Sequence, residues 1–172
     1  MSIQIKACQL TDQLLLSQVA NKAYNDHYLY LWDDGGEFYV QANFTPPQFE
    51  KELSDSNALF YLIYKDEEAV GYLKLNIHKA FQDFTDQQAL ELERIYLMKS
   101  VTGQGVGSHV MNFVIALARE KQKSIIWLKS MDSSASVSFY QQHGFEVVGE
   151  NLLPYALMKK EFRRILSLYR KV

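Results

Sequence analysis

Apolar residues recur along this chain in two rhythms, and the change from one to the other lays out its elements. Residues 3–7 alternate apolar and polar and predict a first strand. Thr11 is a suitable N-cap for a helix over 11–24, with Leu14, Leu15, Val19 and Ala23 on its apolar face. From 25 to 43 neither rhythm holds. Asp33-Asp34-Gly35-Gly36 marks a turn there among Tyr28, Tyr30, Trp32, Phe38 and Tyr39. Thr45-Pro46-Pro47-Gln48 opens a second helix: Thr45 caps it, Pro46 takes the first helical position and Gln48 completes a capping box. Residues 59–65 and 69–78 form a hairpin about Asp66-Glu67-Glu68, followed by a polar loop, 79–88, with aromatic anchors.

The second half alternates strand and helix. A strand over 89–97 leads through a polar turn into a helix over 104–121, with Val106, Val110, Val114 and Leu117 at helical spacing. Residues 124–129 give another strand. Ser133 or Ser134 caps a helix ending at His143, where Gly144 supplies the left-handed stop. Residues 145–149 are a strand, 155–160 a short last one, and 161–170 a helix with Phe162, Ile165, Leu166 and Tyr169 on one face. Antiparallel strands followed by strand–helix alternation predict one mixed α/β domain over 1–172.

The chain is organised around 93–108, where Gly103, Gly105 and Gly107 bring a strand into a helix. Glycine permits positive φ and close approach to the main chain. The first helical turn offers unpaired N–H groups and the positive end of a dipole, which suit a pyrophosphate. The spacing Gly-x-Gly-x-Gly is neither that of a phosphate loop with Gly-Lys-Ser/Thr nor that of a dinucleotide turn.

Composition narrows the picture. An apolar share of 48% and an aromatic share of 13% describe a globular chain and exclude a disordered one. The net charge of −2 argues against a nucleic-acid partner and is compatible with a small cationic substrate. Cys8 is the sole cysteine, so no internal disulfide forms; a reducing, cytoplasmic setting is expected, with Cys8 a small core or edge residue. No apolar run reaches membrane-spanning length, and Thr11, Asp12 and Gln13 interrupt any N-terminal signal core. No membrane partner is expected. His27, His78, His109 and His143 lack metal-ligand spacing, so no metal is expected either.

Two blocks carry a resemblance. Residues 97–107, Leu-Met-Lys-Ser-Val-Thr-Gly-Gln-Gly-Val-Gly, resemble the acetyl-coenzyme A motif of the GNAT superfamily, the Gcn5-related N-acetyltransferases. Gly105 and Gly107 match, while Thr102 stands where Gln or Arg is usual. Residues 136–145, Ser-Val-Ser-Phe-Tyr-Gln-Gln-His-Gly-Phe, resemble the family's second conserved segment. Ser136 there replaces an Ala, and Ser133 the Asn three residues earlier. Residues 49–54, 71–76 and 90–96 are also similar to the PaiA branch, described as bacterial acetyltransferases of spermidine and spermine.

The resemblance implies a mostly antiparallel sheet of six to seven strands, flanked by helices and splayed between strands four and five. It implies acetyl-coenzyme A as donor, its pantetheine arm pairing with the main chain of Ile95 and Leu97. Its pyrophosphate would lie on the amides of Gly103, Gln104, Gly105, Val106, Gly107 and Ser108, with Thr102, Ser133 and Tyr140 also in the cofactor site. The Leu97 N–H would hold the oxyanion, and Tyr140 would act as general acid toward the departing thiolate.

The acceptor amine must be neutral to attack, and near neutrality only about one lysine-like amine in a thousand is. A base is therefore needed. Glu93, nearer the thioester, is favoured, with Glu91 as the alternative; an unbroken strand points both to one face, and a bulge is expected where the sheet splays. Tyr28, Trp32, Asp33 and Asp34 are candidate acceptor contacts, because carboxylates and aromatic faces attract ammonium groups. A second wall is expected from 151–155. The expected function is N-acetylation of a small amine such as spermidine or spermine. The alternatives are a protein N-terminus, a drug amine, or an acyl-coenzyme A sensor without turnover. The chain is expected as monomer or homodimer.

Overall fold

β-Branched and aromatic residues at 58–65 and 68–76 build the first hairpin, and the remaining strands assemble around it. The computed structural model describes residues 2–172. Its elements are β1 (Ile3–Ala7), α1 (Gln13–Tyr28), α2 (Glu37–Asn43), α3 (Pro46–Leu53), β2 (Ala58–Lys65), β3 (Glu68–Asn76) and β4 (Ala89–Leu97). Then come α4 (Val106–Glu120), β5 (Ile125–Met131), α5 (Ser136–Gln142), β6 (Glu146–Leu152) and β7 (Arg164–Lys171). All seven strands join one sheet in the order β1-β2-β3-β4-β5-β7-β6. Every neighbouring pair is antiparallel except β4 and β5, which run parallel.

Helices cover both faces. Leu16, Val19, Ala20, Ala23 and Tyr24 of α1 and Phe49 of α3 pack on Phe60, Leu62 and Tyr72. On the other face Val106, Val110, Met111 and Val114 of α4 meet Leu73, Leu75, Leu90, Leu92, Ile126 and Leu128. The 79–88 loop is pinned by Phe81, which stacks on Trp127 at 4.7 Å.

The structure corrects several sequence expectations. α1 starts at Gln13, after a 3₁₀ turn in which Asp12 accepts the Gln9 N–H at 2.7 Å, and it runs through Tyr28 rather than stopping at Tyr24. Its last turn is held on the end of β4: Asp26 accepts the Lys99 N–H at 2.9 Å, and His27 Nε2 lies 3.0 Å from the Leu97 carbonyl oxygen. The stretch from 25 to 43 hides a helix, α2. It is entered through Gly35 and Gly36 at φ +70° and +84°, and Asp34 accepts the N–H groups of Gly36 and Phe38 at 2.9 and 3.0 Å. The capping box of α3 is half formed: Thr45 accepts the Gln48 N–H, but the Gln48 side chain turns to Glu52.

The largest correction concerns the C-terminus. The expected helix over 161–170 is instead β7, paired with β5 on one side and β6 on the other. Ile165, Leu166 and Tyr169 fit a helical face, but a central strand covered on both sides also reads as an apolar run. Arg164 fixes its start through Asp132 at 3.0 Å and Glu150 at 2.7 Å. Residues 155–160 form no strand. They fold onto α1's exit, with Lys159 N–H bonded to Leu31 O and Asp33 N–H to Leu157 O, each at 2.9 Å.

Candidate active site

The site begins where β4 changes phase. In the β3–β4 ladder Leu75 faces Leu92 and Lys74 faces Arg94, so Glu93 is an extra residue, a β-bulge. Before it, Leu90 and Leu92 face α4; after it, Ile95 and Leu97 do. Glu93 and Arg94 therefore both lie on the opposite face, with Glu91 and Tyr96.

Parallel pairing of β4 with β5 covers only Ala89–Leu92 against Ile125–Leu128, so the strands separate just where the bulge sits. The Met98 N–H bonds Val70 O at 2.8 Å, which makes Gly71–Leu97 a pair without ladder hydrogen bonds. The N–H and C=O groups of Ile95 and Leu97 thus point away from β3, into the splay. The Leu97 carbonyl is occupied by His27, and its N–H is left facing the gap. Gly71 is required for this close approach: a Cβ there would lie 2.4 Å from Tyr96 O.

At the upper end of the gap, Gly103 and Gly105 take φ +75° and +77°, with open space where a side chain would be. His109 is the first amide to bond back, to Gly105 O at 3.1 Å, so the N–H groups of Val106, Gly107 and Ser108 at the start of α4 are not spent on the helix. Gln104 is held by Ser100 O at 2.7 Å and by Lys65. Gly107 adopts ordinary helical geometry and serves packing: its Cβ would lie 3.3 Å from Phe139 of α5. The two sequence blocks touch here. Open amides, a dipole end and space for a ligand fit a pyrophosphate.

Below the splay lies a cavity of about 330 Å³. One side is aromatic. Tyr39 stacks between Trp32 at 4.7 Å and Tyr24 at 5.3 Å, Tyr155 closes on Trp32 at 5.6 Å, and Tyr28 and Tyr96 complete the wall. Trp32 donates to the Tyr24 hydroxyl at 2.9 Å, which fixes both rings. The other side carries Glu91 and Glu93 from β4, Lys129 from β5, and Ser134, Ser136 and Tyr140 around α5. Ser134, not Ser133, receives the Ser136 N–H at the entry of α5.

The carboxylates differ in their company. Lys74 Nζ lies 2.8 Å from both Glu52 and Glu93, and Arg94 lies 3.1 Å from Glu52 and 3.2 Å from Glu93. These charges form a compensated group, with the Lys74 side chain only 10% exposed. Glu91 has no such cation. Burial pushes its carboxyl above the ordinary value, reinforced by the Glu93 charge and opposed by Asn76 donation and by the more distant charges of Lys79 and Lys129. Burial also raises the Tyr140 phenol, so it stays protonated near neutrality.

Of the candidate acceptor contacts, Tyr28 and Trp32 line the cavity. Asp33 and Asp34 do not: Asp34 is spent on the entry of α2, and Asp33 lies against Lys159 and Arg163 on another surface. The expected second wall is present in Leu153 and Tyr155. Sequence reasoning missed Tyr39, Asn76, Lys74, Arg94, Lys129 and His27. Only Tyr39 stood in a stretch already marked for its aromatics; the others are defined by partners distant in sequence. Among the described residues no group of three His, Cys, Asp or Glu is arranged to hold a metal ion.

A parallel pair of strands that part over an amide-rich helix start, above an acid-bearing cavity, defines a coenzyme A-dependent transferase fold. The chain belongs to the acetyltransferase (GNAT) family, whose model matches residues 18–145. It is 33% identical over 131 residues to an uncharacterized N-acetyltransferase of Lactobacillus delbrueckii subsp. lactis, spanning 71% of this chain and 75% of the relative. The fold is similar to that of the PaiA N-acetyltransferase from Thermoplasma acidophilum in complex with coenzyme A, with TM-score 0.77, 20% identity and 100% of both chains covered. It is also similar to the ribosomal-protein-S18-alanine N-acetyltransferase from Escherichia coli, with TM-score 0.73, 12% identity, and 99% of this chain and 94% of the other covered. The chain is accordingly an N-acetyltransferase that uses acetyl-coenzyme A as its donor.

Proposed function

We propose that this enzyme moves an acetyl group to the primary amine of a small cationic acceptor held in the aromatic cavity. The observation that carries this is the order of groups along the splay: the free amides of Val106, Gly107 and Ser108 at one end, the outward main chain of Ile95 and Leu97 between, and a cavity lined by Ile95, Glu91 and Tyr140 at the other. The donor supplies an activated thioester. Ile95 and Leu97 align it, and the Leu97 N–H polarises its carbonyl. Glu91 takes the proton from the acceptor ammonium, directly or through water, because its raised pKa suits a base better than the ion-paired Glu93. The freed amine attacks the thioester carbonyl; as the C–S bond breaks, Tyr140 gives its proton to the departing sulfur and is restored by the proton that the attacking nitrogen sheds in becoming the amide. Gly103, Gln104, Gly105, Val106, Gly107 and Ser108 carry the pyrophosphate, with Thr102 and Ser133 at its margins.

Spermidine and spermine are the acceptors that the sequence resemblance implies. A reducing, cytoplasmic setting belongs to this reading, since Cys8 is a free thiol whose pKa burial pushes up to about 12. No helix among the described residues is long and apolar enough to cross a membrane. The test is thiol release from acetyl-coenzyme A with a panel of amines. Acceptor-dependent release is expected. No release with any amine, from protein that binds the donor, overturns the assignment.

A further inference from the structure

The cavity's charges do not match a polyamine. Of its ionisable lining residues, Glu93 and Arg94 are balanced within the group that includes Glu52 and Lys74. That leaves one anion, Glu91, and one cation, Lys129; the Lys129 charge acts on Glu91 at a distance, but neither is in an ion pair among the described residues. Ile126 and Leu128 face α4, so Lys129, next along β5, stands on the cavity side with Glu91. The carboxylates Asp33 and Asp34 that a polyamine would need lie outside the cavity. The wall left for the acceptor's body is aromatic: Tyr28, Trp32, Tyr39, Tyr96 and Tyr155 line it, with Leu31 and Met158 packed behind.

Resting on the reading above, we infer that the acceptor carries a single ammonium group on an aromatic or apolar body, and that Lys129 is the specificity residue that turns away di- and polyamines. An ammonium beside Glu91 gains its charge and a ring face. A second ammonium on the same molecule would meet Lys129 at the exposed rim of the cavity instead of another carboxylate. Repulsion of the wrong ligand sets selectivity as effectively as attraction of the right one.

The test compares phenethylamine with spermidine in the intact enzyme and in Lys129→Glu and Lys129→Gln. Wild type is expected to favour phenethylamine by more than tenfold in kcat/KM. Lys129→Glu is expected to narrow that ratio at least tenfold by raising the rate with spermidine, and Lys129→Gln to fall between, with KM for acetyl-coenzyme A unchanged. Preference of wild type for spermidine, a ratio unmoved by Lys129→Glu, or a raised acetyl-coenzyme A KM in its place overturns the inference. Should no amine be acetylated, the proposed function fails separately. Ligand-observed NMR on the coenzyme A complex then decides acceptor choice, and binding of spermidine at or above the level of phenethylamine overturns it.

Discussion

Glu91 and Glu93 share one donor: the side-chain amide nitrogen of Asn76 lies 2.7 Å from a carboxylate oxygen of each. Only Glu93 then continues to Lys74 and Arg94. Two acids held by the same amide are thereby given different environments, and the one without a direct ion pair is better placed to exchange a proton.

Replacing Glu91 with Gln is expected to lower kcat by about 100-fold or more, the usual scale for loss of a general base. The raised pKa of Glu91 places the acid limb of the wild-type kcat/KM profile above the ordinary carboxylate value of about 4.3, with the rate rising as Glu91 ionises. Glu91→Gln should remove that limb. A larger kcat loss in Glu93→Gln than in Glu91→Gln, both variants being folded, would return the base role to Glu93.

Tyr140→Phe keeps the ring contacts with Phe139 and Phe145 at 5.4 and 5.8 Å and removes only the hydroxyl. Turnover is expected to fall by about 100-fold with little change in KM for acetyl-coenzyme A. Steady-state kinetics with the best acceptor checks it, and unchanged turnover would remove Tyr140 from the reaction.

Glu52 links the cavity to the fold. Burial opposes its charge, but Arg94, Lys74 and Gln48 outweigh burial and hold its pKa below the ordinary range. A depressed folded-state value gives stability that is present above the unfolded value, about 4.3, and is lost as pH falls through the lower folded value. The melting temperature should fall as the pH drops from about 4.3 through that lower folded value, and Glu52→Gln should flatten this part of the profile. Lys74→Met, which leaves Glu52 and Glu93 with only Arg94, is expected to cost about 3–5 kcal/mol by chemical denaturation.

The glycines of the turn should fail differently. Gly103→Ala meets no neighbour but must hold φ +75°, at a cost of about 1–2 kcal/mol. Gly107→Val has acceptable φ but drives side-chain atoms into Phe139, and overpacking there is expected to cost about 1–3 kcal/mol. Denaturation curves measure both costs. Gly107→Val should also raise KM for acetyl-coenzyme A, since it separates α4 from α5.

Most of this was legible in local sequence. An apolar, aromatic run and the Asp66-Glu67-Glu68 turn gave the β2–β3 hairpin, and the glycines gave the turn into α4. The misses share a cause. β7 and a helix make the same apolar run at 165–169, and only the open edges of β5 and β6 decide between them. α2 is rich in aromatics and β-branched Val40, and is helical because Asp34 and Gly36 start it. The bulge was expected, but its position at Glu93 depends on Lys74 and Asn76 across the ladder. Asp33 and Asp34 had the right chemistry for an acceptor site, and backbone capping claimed Asp34 first.

The bulge also makes β4 a strand that has to be counted differently on its two halves. Pairing Glu93 with Lys74 in regular register, without the bulge, would rotate everything beyond it by half a turn. Arg94 and Tyr96 would be driven into the aliphatic layer beneath α4, and Ile95 and Leu97 out among the tyrosines. The irregularity is thus a phase marker: because one of the nine residues is out of step, Leu90 and Leu92 before it and Ile95 and Leu97 after it all keep to the packed hydrocarbon face, while Glu91, Glu93, Arg94 and Tyr96 keep to the reaction chamber.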